Sequence, residues 1–347
     1  MAQAKQRVTW LDIAKAITIF LVVFGHVLRG GTAQKIVFSF HVATFFLLSG
    51  MTCKTDNLKA RIKNDFLRIM VPYYSFSILS IIIFRFLGDF AASRFSLDVD
   101  TSLWHNLVGM LYACPVNHYL KYNLPLWFLP CLFTTKMLYY VLCRLCRENQ
   151  PQVFLCSLLL AALSAIYSRF IGTGLPFNLS VAAKMLVFFS LGRIIFSRLT
   201  LIRRRCPAML SGILLLLATS VIAAVLPRID YASDYFPNYL TFSATALMGS
   251  LGVCFISIGL CSNRAFEYVG KSTLSILVMH KFPVLLFQTV GPQKTILEKY
   301  DSIAGIAAAV AVSLFSIGLC LIADWLIRRY FPFLLGSFSG NHPQQHA

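Results

Sequence analysis

The 347-residue chain is 58% hydrophobic and 13% charged. An ordinary soluble domain is about 25% charged, so the composition excludes a soluble multidomain enzyme, and its hydrophobicity excludes disorder. The formal net charge of +18 comes from 31 basic and 13 acidic residues. That excess suggests nucleic acid in a soluble protein, but in a membrane protein it is what Lys- and Arg-rich cytoplasmic loops produce.

Ten runs reach the ~20 mostly apolar residues that a transmembrane helix needs. They are 10–28, 36–53, 69–87, 126–143, 152–171, 177–197, 207–227, 239–261, 272–291 and 302–327. Helices are required because backbone amides in lipid must be satisfied within the segment. The first run carries Asp12, Lys15 and His26 and lacks a small-residue cleavage site, so it reads as a span and not as a cleavable signal. Ten spans put both termini on one side. Loops on that side hold 18 Lys and Arg against 7 in the opposite set, which places both termini in the cytoplasm. The charge is then explained without nucleic acid, and Arg203-Arg204-Arg205 reads as a cytoplasmic anchor. The expected architecture is an all-α polytopic bundle in the cell (inner or cytoplasmic) membrane. It comprises one domain over 1–330, a short polar tail over 331–347, and one long exterior loop, 88–125, with Trp104, His105 and His118.

Ionisable residues inside spans are costly, at least ~2.5–3.5 kcal/mol at the centre, and each asks for a reason. Lys15 and His26 are eleven residues apart, close to three helical turns, so they share a face ~16 Å apart along the axis. Asp12, three residues before Lys15, joins that stripe; it fixes Lys15 or pairs with Arg7. The plainer reading is a Lys15 that snorkels to the interface and a His26 that packs. The second span brings in His41 a short loop after His26, then Ser49-Gly50, small residues that permit close helix approach. His280 is a third intramembrane histidine, in a span that Pro283 interrupts. Histidine has the acidity for proton transfer near neutral pH. No ligand pair at i,i+4 spacing is present, so no metal is expected. Ten scattered cysteines form no disulfide framework, and Cys143 and Cys146 read as packed thiols.

These residues bring a family into view. Asp12-Ile-Ala-Lys15 with Gly25-His26 resembles the first-helix signature of the acyltransferase-3 family of integral membrane acyltransferases, a basic residue followed after ten positions by His. Phe40-His41 through Ser49-Gly50 resembles its second motif, and Arg68 with Val71-Pro72-Tyr73 its basic cytoplasmic motif. Pro125-Leu-Trp127-Phe128-Leu129 is similar to its Leu-Trp-Phe-Leu element. Gly270-Lys-Ser272 through His280 is similar to its late Gly-x-x-Ser…His motif. The opening is most like the fucose 4-O-acetylase branch. The chain departs in having Asp65 where an arginine is common, with Arg61 and Lys63 as the nearest cations, and Leu277 where a tyrosine is usual.

The resemblance implies transfer of an acyl group, usually acetyl, from cytoplasmic acyl-CoA to a carbohydrate hydroxyl on a surface glycan or its lipid-linked precursor. It implies His26, His41, Lys15 and Asp12 as catalytic groups, and Lys15, Arg61, Lys63 and Arg68 toward the donor's phosphates. Ser49, Gly50, Trp127, Gly270, Ser272 and His280 complete the motifs. A histidine would take the hydroxyl proton, or carry the acyl group itself. The competing reading is a proton-coupled transporter with the histidines as a relay. For it, Pro283 alone breaks a helix internally, where paired breaks in two halves are expected.

Overall fold

The computed structural model describes residues 8–95, 102–115, 121–172, 174–261, 263–289 and 301–338. Arg7, His118 and the tail from 339 onward, which entered the reading above, lie outside the described residues. Within them the fold is all helical, with one isolated bridge between Asp230 and Tyr235 in place of any sheet. In chain order the helices are α1 Thr9–Val27, α2 Gly31–Phe38, α3 His41–Thr52, α4 Leu58–Asp65, α5 Val71–Phe95, α6 Leu103–Tyr112, α7 Phe128–Leu145 and α8 Gln150–Phe170. They continue as α9 Leu179–Thr200, α10 Arg205–Val225, α11 Tyr239–Gly259, α12 Arg264–Lys271, α13 Thr273–Met279, α14 Lys281–Thr289 and α15 Ile303–Tyr330.

Nine helical stretches among the described residues are long and apolar enough to cross a membrane. The expected span 272–291 is not one long helix. It is built from α13 and α14, which meet at His280. Pro283 has no N–H to return to the Met279 carbonyl, so the hydrogen-bond ladder is interrupted one turn before it. The expected span 36–53 also differs. Its first residues belong to α2, and a tight turn at Ser39-Phe40 separates them from α3. Inside the expected loop 88–125, α5 extends to Phe95, and α6 docks on α5 through the Tyr73 hydroxyl, which donates to the Met110 carbonyl at 2.8 Å.

Burial separates a central layer from a lipid-facing one. Along the apolar windows of α1 and α9, 67% of residues are buried inside the protein, against 22% for α8 and α10. The outer helices present Leu155, Leu159, Leu163, Leu214, Leu217 and Val221 to the surroundings. Such a belt is an aggregation surface in water and costs nothing in hydrocarbon. The chain is therefore a multi-pass membrane protein.

Without a hydrophobic drive between helices in lipid, close packing needs small residues. At the crossing of α3 and α9, a Cβ on Gly50 would sit 1.9 Å from the Phe189 carbonyl oxygen, and one on Gly192 would sit 2.1 Å from that of Leu47. The two backbones touch there, and no side chain fits between them.

Helix starts are capped locally. The Asn149, Asn238 and Asn263 side chains accept backbone N–H bonds at the N-termini of α8, α11 and α12. Between α4 and α5, Phe66–Met70 forms a π-helical turn. Pro72 removes the donor for the Arg68 carbonyl, and the Val71 N–H bonds back to Phe66. The C-terminal 3-10 turn Pro332–Leu335 folds onto this segment, and Gly336 (φ 69°) lies against the Leu67 carbonyl.

The centre of the bundle is α1, which packs on α2, α3, α11 and, from the far end of the chain, on α12 through α15.

Candidate active site

Where α1 ends, a cavity of about 330 Å³ opens between α1, α2, α3, the 3-10 turn Lys121–Trp127, the loop after α10, and α13–α14. His26, one residue before the end of α1, is half-buried and lines it. The α1 terminus is fixed from two sides. Gln34 of α2 donates to the Gly25 carbonyl at 2.9 Å and to the Leu28 carbonyl at 2.5 Å. Gln288 of α14 donates to the carbonyls of His26 and Val27 at 2.8 and 2.9 Å. Carbonyls that a helix end leaves without donors are thereby satisfied by side chains.

His41 stands at the first position of α3 and is 3% exposed. Its Nδ1 lies 2.7 Å from the Val37 carbonyl. A carbonyl only accepts, so in the neutral ring Nδ1 carries the proton and Nε2 keeps a basic lone pair. The same logic applies to His280, which is fully buried. Its Nδ1 donates to the carbonyls of Ile276 and Leu277 at 3.0 and 2.9 Å, and its Nε2 has no hydrogen-bond partner. The rings of His26 and His280 lie 5.2 Å apart, and the Phe38 ring stands 5.9 Å from His26 and 5.1 Å from His41. The structure thus brings the three intramembrane histidines to one place.

The opposite wall is aromatic. Trp127 stacks on Tyr231 at 6.4 Å with 17° between the planes, and Phe45 and Phe128 complete that side. Apolar walls with a few fixed polar groups are the usual make-up of a small-molecule site.

Tyr231 belongs to the loop after α10, which folds into the bundle. Ile229, Tyr231, Ala232 and Asp234 are all buried. The anchor is an ion pair inside the protein. Lys184 Nζ lies 2.6 Å from Asp234, with side chains 1% and 2% exposed. Ser168 and Ser180 donate to the other Asp234 oxygen at 2.5 and 2.6 Å, and Lys184 also donates to Ser168 at 2.7 Å. A buried pair is tolerable only with its remaining donors and acceptors satisfied in this way.

The other expected residues lie elsewhere. Asp12 and Lys15 are toward the opposite end of α1, about 21 and 16 Å from His26 along the axis at 1.5 Å per residue. Gly270 marks the contact of α12 with α1, since a Cβ there would meet the Asp12 carbonyl oxygen at 2.2 Å. Ser272 donates to Asp324 of α15 at 3.0 Å. Asp324 also accepts from Ser275 and, at 2.8 Å, from Arg328. Ser49 and Gly50 lie in the last turns of α3, away from the cavity.

Arg61 grips Asp56 with one guanidinium nitrogen, at 2.9 and 3.1 Å, and this hydrogen bonding holds the exposed Asp56 carboxyl below its usual range. Lys63 and Arg68 are exposed. Asp65, in the place of the common arginine, accepts from Lys136 and from the Tyr140 hydroxyl. At this end a second cavity of about 390 Å³ is lined by Lys54, Thr55, Asp56 and Arg193.

A family model described as an acyltransferase domain, that of acyltransferase-3, matches residues 8–325. The chain belongs to the acyltransferase-3 family. No curated protein and no solved structure matches it. The cavity offers the His26 and His41 side chains, apolar and aromatic walls, and the cations Arg29, Arg228 and Lys281. The match gives the transporter reading no support. Sequence reasoning missed several lining residues of this acyltransferase, namely Arg29, Gln34, Arg228, Asp230 and Gln288. Lys184 and Lys281 lie inside the apolar runs 177–197 and 272–291. Arg228 and Asp230 sat in a short loop that gave no sign of folding inward.

Proposed function

We propose that the protein is an O-acyltransferase that moves an acyl group, acetyl in the simplest case, from cytoplasmic acyl-CoA to a hydroxyl of a cell-surface or lipid-linked carbohydrate. The Asp12-Ile-Ala-Lys15 opening supports the fucose 4-O-acetylase-like branch. The observation that carries the reading is the cavity itself, in which His26 and His41 face an aromatic wall of Trp127 and Tyr231. Flat aromatic faces are suited to the apolar faces of sugar rings.

In this scheme the acceptor hydroxyl enters from the cavity rim and gives its proton to His26. The oxygen bonds to the thioester carbonyl carbon, the carbon–sulfur bond breaks, and the departing thiolate takes the proton from the imidazolium. His280 Nε2, a buried acceptor without a donor, is placed to share that proton while His26 is charged. His41 offers its Nε2 to orient the hydroxyl. The donor's phosphates meet the basic end of the bundle, near Lys15, Lys63, Arg68, Lys54 and Arg193, and the acyl group travels along α1. In the alternative route that the same groups permit, His26 accepts the acyl group first. Membranes carrying the protein, given radiolabelled acetyl-CoA and a total glycan extract, should transfer label to glycan. Absence of transfer from acetyl-, succinyl- and longer acyl-CoA alike would end this reading.

The scheme needs both termini in the cytoplasm, hence an even number of crossings, with α13 and α14 together forming the tenth. The 18-to-7 distribution of basic residues supports that orientation. Single cysteines at Ser102 and Ser197, in a chain with its native cysteines replaced, report it. An impermeant maleimide added to intact spheroplasts is expected to label position 102 and spare 197. The reverse pattern would put the basic end on the wrong side for acyl-CoA.

A further inference from the structure

Three cations line the cavity beside the histidines: Arg29, Arg228 and Lys281. Lys136, Lys184 and Arg328 each hold a carboxylate, Asp65, Asp234 and Asp324 respectively. Among the described residues, none of the cavity cations makes an ion pair. Arg29 donates to the Gln288 carbonyl at 2.7 Å, a neutral partner. Arg228 lies over the Phe38 ring at 5.0 Å, the ring that stands between His26 and His41. Lys281 follows His280 directly at the start of α14 and is half-buried.

The one carboxylate on the lining, Asp230, is committed to its own loop. Its Oδ1 accepts the Ala232 N–H and its Oδ2 accepts the Ser233 hydroxyl, each at 3.0 Å. Arg29 and Arg228 are exposed at the cavity mouth and Lys281 is half-buried, and like charges gathered around one cavity repel one another. Among the described residues, the end of α1 is held by Gln34 and Gln288 as well as by Arg29, and the loop after α10 is held by Asp234.

We propose that this rim binds an oxyanion carried by the acceptor, a sugar carboxylate or a phosphate, so that the substrate is an acidic glycan or a glycan phosphate and not a neutral sugar. The inference rests on the acyltransferase reading above and names its acceptor class. Arg228 and Arg29 present planar forks suited to either oxyanion, and Lys281 adds a point charge. The oxyanion seated there sets the distance from the charged group to the hydroxyl that faces His26, which selects the position acylated.

The test uses the full-length protein in membranes with labelled acetyl-CoA and three acceptors built on one disaccharide: uncharged, bearing a uronic carboxylate, and linked through phosphate to a short prenyl chain. At least one charged form should exceed the uncharged form by about tenfold or more in kcat/KM, the scale of charge-assisted hydrogen bonds. The form preferred tells carboxylate from phosphate. Arg228→Gln should raise KM for the charged acceptor about tenfold more than for the uncharged one, and leave KM for acetyl-CoA unchanged. Equal use of charged and uncharged acceptors overturns the inference while leaving the acyltransferase reading intact. A rise in KM for acetyl-CoA instead would mean that these cations hold the donor, and overturns it too. If no acceptor is labelled, this disaccharide is not a substrate skeleton, and the acyltransferase reading is left to the glycan-extract assay above. The rim is then tested by thermal unfolding of the detergent-purified protein with the uronic disaccharide or the glycan phosphate. Stabilisation that Arg228→Gln removes supports the oxyanion site, and its absence overturns it.

Discussion

His26→Ala is expected to lower acyl transfer by roughly 10²–10⁴-fold, the usual cost of losing a general base, in a protein that still inserts and purifies as a single species. His26 is half-buried and the end of α1 is held by backbone carbonyls accepting from Gln34 and Gln288. Those bonds do not involve the imidazole, so its removal leaves them in place. Loss of its packing against Phe38 and His280 will cost some stability, and chemical rescue separates the two effects. Added imidazole should restore part of the transfer to His26→Ala if the ring moves a proton, and none if the ring only packs. Near-normal transfer by the well-expressed variant would remove His26 from the mechanism. His280→Gln should do less, because His280 acts on His26 and not on the substrate.

The second large effect is on stability. Lys184→Ala leaves the Asp234 carboxylate buried with only Ser168 and Ser180 as donors. Stranding one member of a buried pair costs about 3–5 kcal/mol. Replacing both, as Lys184→Met with Asp234→Leu, is expected to recover most of that, because two apolar side chains need no desolvation to be offset. Denaturant unfolding in detergent micelles measures both. Equal losses in the single and the double variant would show that the pair's charge is not what matters there. Transfer should fall in Lys184→Ala as well, because the loop it anchors carries Tyr231 and Arg228 into the cavity.

These two residues also show what the sequence could and could not disclose. His26 was legible because an ionisable group in an apolar run demands an explanation, and its spacing from Lys15 follows from helical geometry alone. Its neighbour was not legible. His280 meets His26 through a long-range contact between the first and last parts of the chain, and no periodicity encodes that. Lys184 stood out as a cation in a span, yet its partner sits in a loop whose polar composition reads as exposed. Most spans were readable to within a few residues: 10–28 against Thr9–Val27, 207–227 against Arg205–Val225, 302–327 against Ile303–Tyr330. Two discrepancies fall beside site histidines, at Ser39-Phe40 before His41 and at His280 before Pro283; another is α5, which runs on to Phe95. At both histidines Nδ1 donates to a carbonyl in the preceding turn, which orients the ring. Lys15, Arg61, Lys63 and Arg68 came from the family resemblance; Lys15 lies toward the far end of α1, and Arg61 is already engaged by Asp56.

The position of α1 has a consequence for how the protein is made. It leaves the ribosome well before the helices that complete it. Gln288, which seats the carbonyl of His26, follows it by 262 residues, and α12 through α15 all pack on α1. During synthesis α1 must therefore wait in the membrane with Asp12, Lys15 and His26 lacking the neighbours that later surround them, and contacts of such long range form late. The histidine pair and the cavity cannot exist until nearly the whole chain has been inserted. A nascent or prematurely ended chain thus lacks the His26–His280 contact and the Gln288 clamp, and their presence is the signature of completed assembly.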